Sequence, residues 1–442
     1  MVPGNGRLLC PRRITHHKAM ATLPPLPEFV TLEHDVSRIL TRQELHGVKF
    51  DFDSAWQLAS ALGEELRHTE ELLRNRHPYV EGSRFTPKRT NSRTGYVEDA
   101  PLTKLKELNC SSRDHISWIL QTFHGWKPKQ LTATGKPIID EVILKEIGTE
   151  VATQFLQILT IKKMLGMIQD GENAWMKLST TSNRIHHHCS VATNTHRCAH
   201  RRPNLGQTPS DERFRRLFIP SPGLCMVGAD LSGIELRMLA HYLARFDDGR
   251  YARILLEDDI HQVNADKIGI SRKQVKTVTY AFLYGAGDEK IGHSYDPQLS
   301  QSSAKKKGKE IRQAYVDAVD GLGDLLDAVK KAADRGFIKA IDGRKIEVDS
   351  PHKALNYLLQ SSAGVIAKRW MVINDQKIKE LQLCCSQLMF VHDELQFECD
   401  PTHAQDLCSS LVYSATEAGE YYNMRCRVDA EATTGKDWSE TH

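Results

Sequence analysis

The chain has 442 residues, 40% of them apolar and 26% charged, with a formal net charge of +3. That composition excludes a mainly disordered chain, a collagen-like chain and a coiled-coil rod; at ~100–200 residues per domain, the length implies several domains or one multi-lobed enzyme. No stretch approaches the ~18 consecutive apolar residues that cross a bilayer, so no membrane is expected, while 59 Lys+Arg against 56 Asp+Glu neither require nor exclude a nucleic-acid partner.

Residues 1–29 read as a disordered tail. Arg7, Arg12, Arg13 and Lys18 precede the first acid, Glu28, among prolines and without the apolar core of a signal peptide. Met20 is an alternative start. From 31 to 76 the pattern is helical, with Leu58, Leu62, Leu66 and Leu73 at helical intervals and Asp53 placed to cap the start. Asp51 and Asp53 read as capping residues rather than a metal pair, because they stand just before a helix. Residues 77–107 lose the pattern and read as a long polar loop or small insert; 112–125 and 139–178 are helical again.

From 182 to 230 short apolar runs alternate with turns. Within them lies the histidine-rich run 184–202, which has no clean ligand spacing and reads as loop composition rather than a metal site. The cysteines are scattered without a CxxC pair and read as reduced thiols in a cytoplasmic protein. GLCMVGAD (223–230) reads as a buried strand delivering Asp230 at its end, followed by a helix over 234–246. Residues 271–336 are mostly helical, 336–350 a hairpin and 351–382 a long helix. SQLMFVHDELQFECD (386–400) reads as a second hairpin with His392 and Asp393 at its tip, before a final helix and strand.

Two groups of residues point to chemistry. Asp230 and Asp393 each end an apolar strand, and a buried unpaired carboxylate requires a cation or water nearby. Converging, the pair could hold two Mg²⁺ for phosphoryl displacement; singly, each reads as a turn cap. In SRKQVKTVTYAFLYGAG (271–287), Ser271 is a good N-cap and Gly285 a good stop. Arg272, Lys276 and Tyr280 share one helical face. That stripe suits a triphosphate with its sugar and base, or equally a solvated basic face beside a core tyrosine.

ADLSGIELR (229–237), the R-x3-K-x3-Y-x3-YG run (272–285) and VHDE (391–394) resemble, in order and spacing, motifs A, B and C of the family A DNA polymerases. The resemblance is closest to the replicative polymerases of T-seven-like phages. It extends through HGVKFD (46–51), SSRDHI (111–116), PNLGQTP (203–209), DGRK (342–345) and SPHKALNYLLQSSAG (350–364), covering the chain from about residue 32 to the end.

The resemblance implies an α+β right-hand fold with an antiparallel-sheet palm and helical fingers and thumb. It implies a thumb over 30–181 with a short insert at about 77–110, palm over 182–242, fingers over 243–350 and palm again over 351–442. The implied activity is primer extension with dNTPs on primer–template DNA, using two Mg²⁺ held by Asp230, Asp393 and the Leu231 carbonyl, with Glu394 supporting. Arg272, Lys276 and His261 would bind the triphosphate, Lys276 also donating a proton to pyrophosphate. Tyr280 would lie under the sugar, with Glu235 packed against it to exclude a ribose hydroxyl. Tyr284 would stack near the templating base, and Arg197, Asn356, Gln360 and His392 would hold the primer–template.

Departures from the family pattern carry expectations of their own. Too few residues precede the thumb for a 3′–5′ exonuclease domain, so proofreading falls to a separate gene product or is lost by truncation. The shortened insert argues against a thioredoxin clamp and leaves any processivity factor a separate partner. The family's T-G-R reads Thr195-His196-Arg197. The competing readings are a single-subunit RNA polymerase, against which Glu235 and Tyr280 argue, and a catalytically retired DNA-binding subunit, against which the intact Asp230, Asp393, Arg272 and Lys276 argue.

Overall fold

The computed structural model describes residues 25–296 and 299–442. The tail expected over 1–29 lies outside the described residues up to residue 24, and Glu28 already opens the first helix. Among the described residues no helix is long and apolar enough to cross a membrane.

The helical stretch expected over 31–76 is two helices, Glu28–His46 and Phe52–Arg76, separated by the short strand Val48–Phe50. Gly47 makes the break: it sits at φ +67°, and a Cβ there would lie 2.8 Å from the His186 ring. The second helix is capped by Asp51, whose carboxylate accepts from Ser54 N–H at 3.0 Å, and not by Asp53, which falls inside the first turn. The stretch expected as a polar loop is a β-ribbon, Tyr79–Phe85 paired antiparallel with Leu102–Glu107. It hid from the sequence because Val80 is its one buried residue, so no two-residue alternation exists. Arg113–His124, Glu141–Ile147 and Glu150–Leu165 close over it around a core of their own that includes Ile116, Leu120, Phe155 and Ile158.

The molecule's principal sheet has four antiparallel strands: Cys225–Leu231 (β1), Cys385–Val391 (β2), Glu394–Cys399 (β3) and Ala430–Gly435 (β4), in the order β2-β3-β1-β4. Glu394 pairs with Asp230 across β3 and β1, and Ala430 with Leu231 across β4 and β1. One large core joins this sheet to the helices Ile234–Leu243, Ala354–Glu380 and Ala404–Tyr421. Trp370, fully buried, satisfies its indole N–H on the Leu411 carbonyl at 2.8 Å, tying two of these helices together. A second core, with Phe218, Leu388, Val391 and Trp438, includes side chains from β1 and β2.

Arg272–Leu283 begins on a capping box: Ser271 accepts from the Gln274 N–H, and the Gln274 side chain returns to Ser271. It ends in a Schellman pattern, with Gly285 at φ +70° and N–H bonds from Gly285 to Phe282 and from Ala286 to Ala281. Asp288–Tyr295 and Gln301–Ala318 pack behind it around Val278, Ile291 and Ile311.

Candidate active site

β2 and β3 are joined by a two-residue hairpin loop, His392 and Asp393. His392 takes φ +58°, the left-handed value that such loops require at a central position. The loop sets Asp393 beside the end of β1, where the Leu231 N–H donates to the Asp393 carbonyl at 3.1 Å. Asp230 and Asp393 therefore share one cleft. The surrounding protein displaces water from Asp230, and the charges of Asp393, Glu394 and Glu235 add to that, raising its pKa to about 7. Burial, then Glu235, raises Asp393 to about 6 despite the opposing pull of Arg197.

These acids fit a hard divalent cation. They offer oxygen donors in one place, neighbouring acids disfavour the ionised form of both Asp230 and Asp393, and an added positive charge relieves that.

Glu394 is buried, and burial raises its pKa to about 7. It is also fully bonded. Trp438 Nε1 donates to Oε1 at 2.5 Å, Gln396 Nε2 donates to the same oxygen at 2.6 Å, and His442 Nδ1 lies 2.7 Å from Oε2. This supporting layer was not read from the sequence, although Glu394, Gln396 and Glu398 at two-residue spacing on an otherwise apolar strand are its signal.

The helix stripe faces the same region. His261, Arg272 and Lys276 are close enough that both cations lower the His261 pKa, after burial as the main cause. Tyr280 lies 6.2 Å from the His261 ring and 6.4 Å, nearly parallel, from Tyr284. Arg272 is held by Asp259 at 2.6 Å, a partner the sequence reading did not name, whose carboxylate also caps the helix Ile260–Ile268.

Glu235 bonds to Tyr284, whose hydroxyl donates to its Oε1 at 3.2 Å, and to Arg197, whose Nη2 donates to the same oxygen at 2.8 Å; its charge also reaches Tyr280, where after burial it raises the pKa. Tyr284 is thus anchored by its polar tip, and burial followed by the Glu235 charge raises its pKa to about 12. Asn356 is only 8% exposed and donates its amide to the Leu283 carbonyl at 2.7 Å, so it latches the end of the Arg272–Leu283 helix rather than facing solvent. Gln360, one turn further along the same helix, is half-buried; His392 is exposed, with its Nε2 3.3 Å from the Gly206 carbonyl.

His196 stands where the motif carries glycine and takes φ +59°. The backbone is left-handed there, and Arg197, the next residue, reaches Glu235.

A sequence profile of DNA polymerase family A matches residues 86–440. The DNA-directed DNA polymerase of Enterobacteria phage T3 is 31% identical over 94% of this chain and 70% of the relative; that of Escherichia phage T7 is 30% identical over the same shares. Among solved structures, the POL domain of Pol1 from M. smegmatis, in complex with DNA primer-template and dNTP, superposes with a TM-score of 0.74 at 22% identity. That superposition covers 92% of this chain and 70% of the other. The carboxylate pair at a palm-like sheet end, the capped helix facing it and these likenesses agree: the chain belongs to DNA polymerase family A, with the right-hand fold and template-directed, metal-dependent DNA synthesis of that family.

Proposed function

We propose that this chain extends a primer 3′ end on a DNA template, with catalysis centred on Asp230 and Asp393. The observation that carries this is the convergence of the two carboxylates at the β2–β3 loop and the end of β1, where loss of water contact and neighbouring acids, Asp393 for Asp230 and Glu235 for Asp393, raise both pKa values. With the Leu231 carbonyl, they would hold the divalent cations, Mg²⁺ and two in number, which when bound supply charge neutralisation at the phosphates and activation of the primer 3′-hydroxyl. Glu394 supports them from its bonded position behind Asp230.

Arg272, Lys276 and His261 bind the triphosphate. Arg272 exchanges Asp259 for phosphate oxygens, which it can grip bidentately, and Lys276 adds a mobile point charge and a proton for the departing pyrophosphate. Tyr280 seats the sugar. Tyr284 leaves Glu235 as the templating base arrives, freeing that carboxylate to face the sugar. Arg197, Gln360 and His392 hold the primer–template, with Asn356 acting indirectly through the helix end. We read 30–181 as thumb, 182–242 and 351–442 as palm and 243–350 as fingers; the separate core around Phe155 supports the first of these. Lys and Arg clusters at 84–93, 196–202, 212–216 and 305–312 supply the backbone contacts.

The test is extension of a 5′-labelled recessed primer with Mg²⁺ and dNTPs, with Asp393→Asn in parallel. Extension by the wild type and none by the variant is expected, together with primer–template affinity that falls steeply with salt. Tight binding without extension by the wild type would instead mark a retired catalytic site.

A further inference from the structure

The histidine-rich run that reads as loop composition in sequence folds into a two-stranded ribbon, His188–Ser190 against Ala199–Arg201, with Cys189 directly opposite His200. Strand alternation puts His187 on the same face as Cys189, and Cys198 on the same face as His200. The fold thereby gathers three donors of an H-x-C…C-x-H pattern, His187, Cys189 and His200, at one hairpin, with Cys198 two residues before His200. One ligand atom from each of His187, Cys189 and His200 lies within 4.8 Å of the other two, and Cys189 Sγ is 3.3 Å from His200 Nδ1. His187 is completely buried.

An ordinary thiol–imidazole hydrogen bond accounts for that last distance but not for the rest. His187 Nδ1 is buried with no hydrogen-bond partner, and such an orphan costs ~1–3 kcal/mol. The amide of Gln43, 3.1 Å from His187 Nε2 and 3.6 Å from Cys189 Sγ, reaches only the other side of the cluster.

We propose that His187, Cys189 and His200 bind one Zn²⁺, with the Cys198 thiolate turning in as fourth ligand. The donors are nitrogen and sulfur without carboxylate, which selects zinc over Mg²⁺ or Ca²⁺. With Zn–S of ~2.3 Å and Zn–N of ~2.0–2.1 Å, tetrahedral ligands stand roughly 3.4–3.6 Å apart; the Cys189–His200 separation of 3.3 Å already approaches this. Binding replaces the proton of each thiol, which leaves to solvent. Four protein ligands make the site closed and structural. It pins both ends of the loop that carries Arg197, whose guanidinium meets Glu235, and His200 stands edge-on to His392, 6.3 Å away, next to Asp393. The effect on primer binding rests on the function proposed above; the metal site itself does not.

The test uses the untagged full chain, grown with zinc and gel-filtered in excess Mg²⁺, which occupies carboxylates but not thiolates. Elemental analysis is expected to give about one zinc per chain. Exchange with Co²⁺ is expected to give cobalt–thiolate charge-transfer absorption. Cys189→Ser should abolish both signals, Cys198→Ser should lower the charge-transfer intensity by about half, and Asp393→Asn should change neither. Less than about a tenth of a zinc per chain together with no cobalt–thiolate absorption overturns the proposal, as does zinc retained in full by a Cys189→Ser, His200→Gln double variant. Should Cys189→Ser fail to fold, cobalt titration of the wild-type chain decides alone.

Discussion

Glu394 and Glu398 stand on the same strand, β3, on the same face, both buried. Their electrostatics are opposite. Burial alone would raise the Glu398 pKa, but the bond from His46 at 2.5 Å, those from the Ser221 backbone and hydroxyl at 2.8 Å and the charge of Arg184 outweigh it and hold the pKa down at about 2. Glu394 has bonds from Trp438, Gln396 and His442, yet burial, with a small addition from the Asp393 charge, outweighs them and pushes its pKa up to about 7. At one end of the strand the fold supplies its own cations and the carboxylate is structural. At the other, Asp230 and Asp393 have no ion pair of their own among the described residues, Arg197 being taken by Glu235, and that end is arranged for charge that arrives from outside.

The sharpest way to break this comparison is to neutralise the crowded end. Asp230→Asn or Asp393→Asn should reduce primer extension on the order of 10³-fold or more, the scale of charge stabilisation in phosphoryl transfer. The same variants should melt higher than wild type in chelator. The folded pKa values of both acids are raised, so the folded state holds protons that the unfolded chain has released, and stability falls as pH rises from about 4 to about 7. The advantage of the variants should therefore grow across that window and disappear when Mg²⁺ is added. Scanning calorimetry over pH checks it; a variant less stable than wild type at neutral pH would mean the carboxylates already have internal partners.

The structural end should respond in reverse. Glu398→Gln leaves Arg184 half-buried without its carboxylate and should cost about 3 kcal/mol, while specific activity of the folded fraction stays within about twofold. Because the folded pKa is depressed, its contribution is complete above about pH 4.5 and is lost as pH falls towards about 2. Denaturant titrations of wild type and variant should thus converge in acid.

This contrast also explains what could be read from the sequence. Asp230 and the Arg272–Lys276–Tyr280 stripe were legible because each lies on a regular element whose register the hydrophobic pattern fixes, Asp393 because it sits in the tight turn between two such strands, and the cap and stop of that helix were visible as Ser271 and Gly285. The partners of those residues were not legible. Trp438 and His442 reach Glu394 from far along the chain, and the Tyr284 hydroxyl bonds Glu235. Such pairings are set by tertiary packing, which leaves no local periodicity. The exposed ribbon Tyr79–Phe85 with Leu102–Glu107 failed for the complementary reason: a strand with almost no buried face carries no alternation.

A smaller effect tests the layer that separates the two ends. A Cβ on Gly228 would lie 2.2 Å from Gln396 Nε2 and 2.3 Å from the Thr441 carbonyl. Gly228→Ala must push Gln396 off Glu394, because the backbone on the other side cannot yield. Overpacking of this kind should cost about 1–3 kcal/mol, and extension should slow about tenfold, the change that 1.4 kcal/mol in the barrier brings. A larger loss of activity than of stability would show that Glu394 acts on the carboxylate pair through its position.

The smallest effect concerns the turn that feeds Arg197 into the crowded end. His196 occupies a left-handed backbone position, φ +59°, at which a Cβ costs roughly 1–2 kcal/mol. His196→Gly removes that strain. It also removes the bond between His196 Nε2 and the Lys345 carbonyl at 3.2 Å and adds freedom to the unfolded chain, each of which offsets part of the gain. The net should be a stabilisation of less than about 1 kcal/mol, with primer–template affinity unchanged because the Arg197–Glu235 ion pair does not depend on the imidazole. A destabilised variant with weakened affinity would show instead that the Lys345 contact, rather than the turn's own geometry, sets where Arg197 stands.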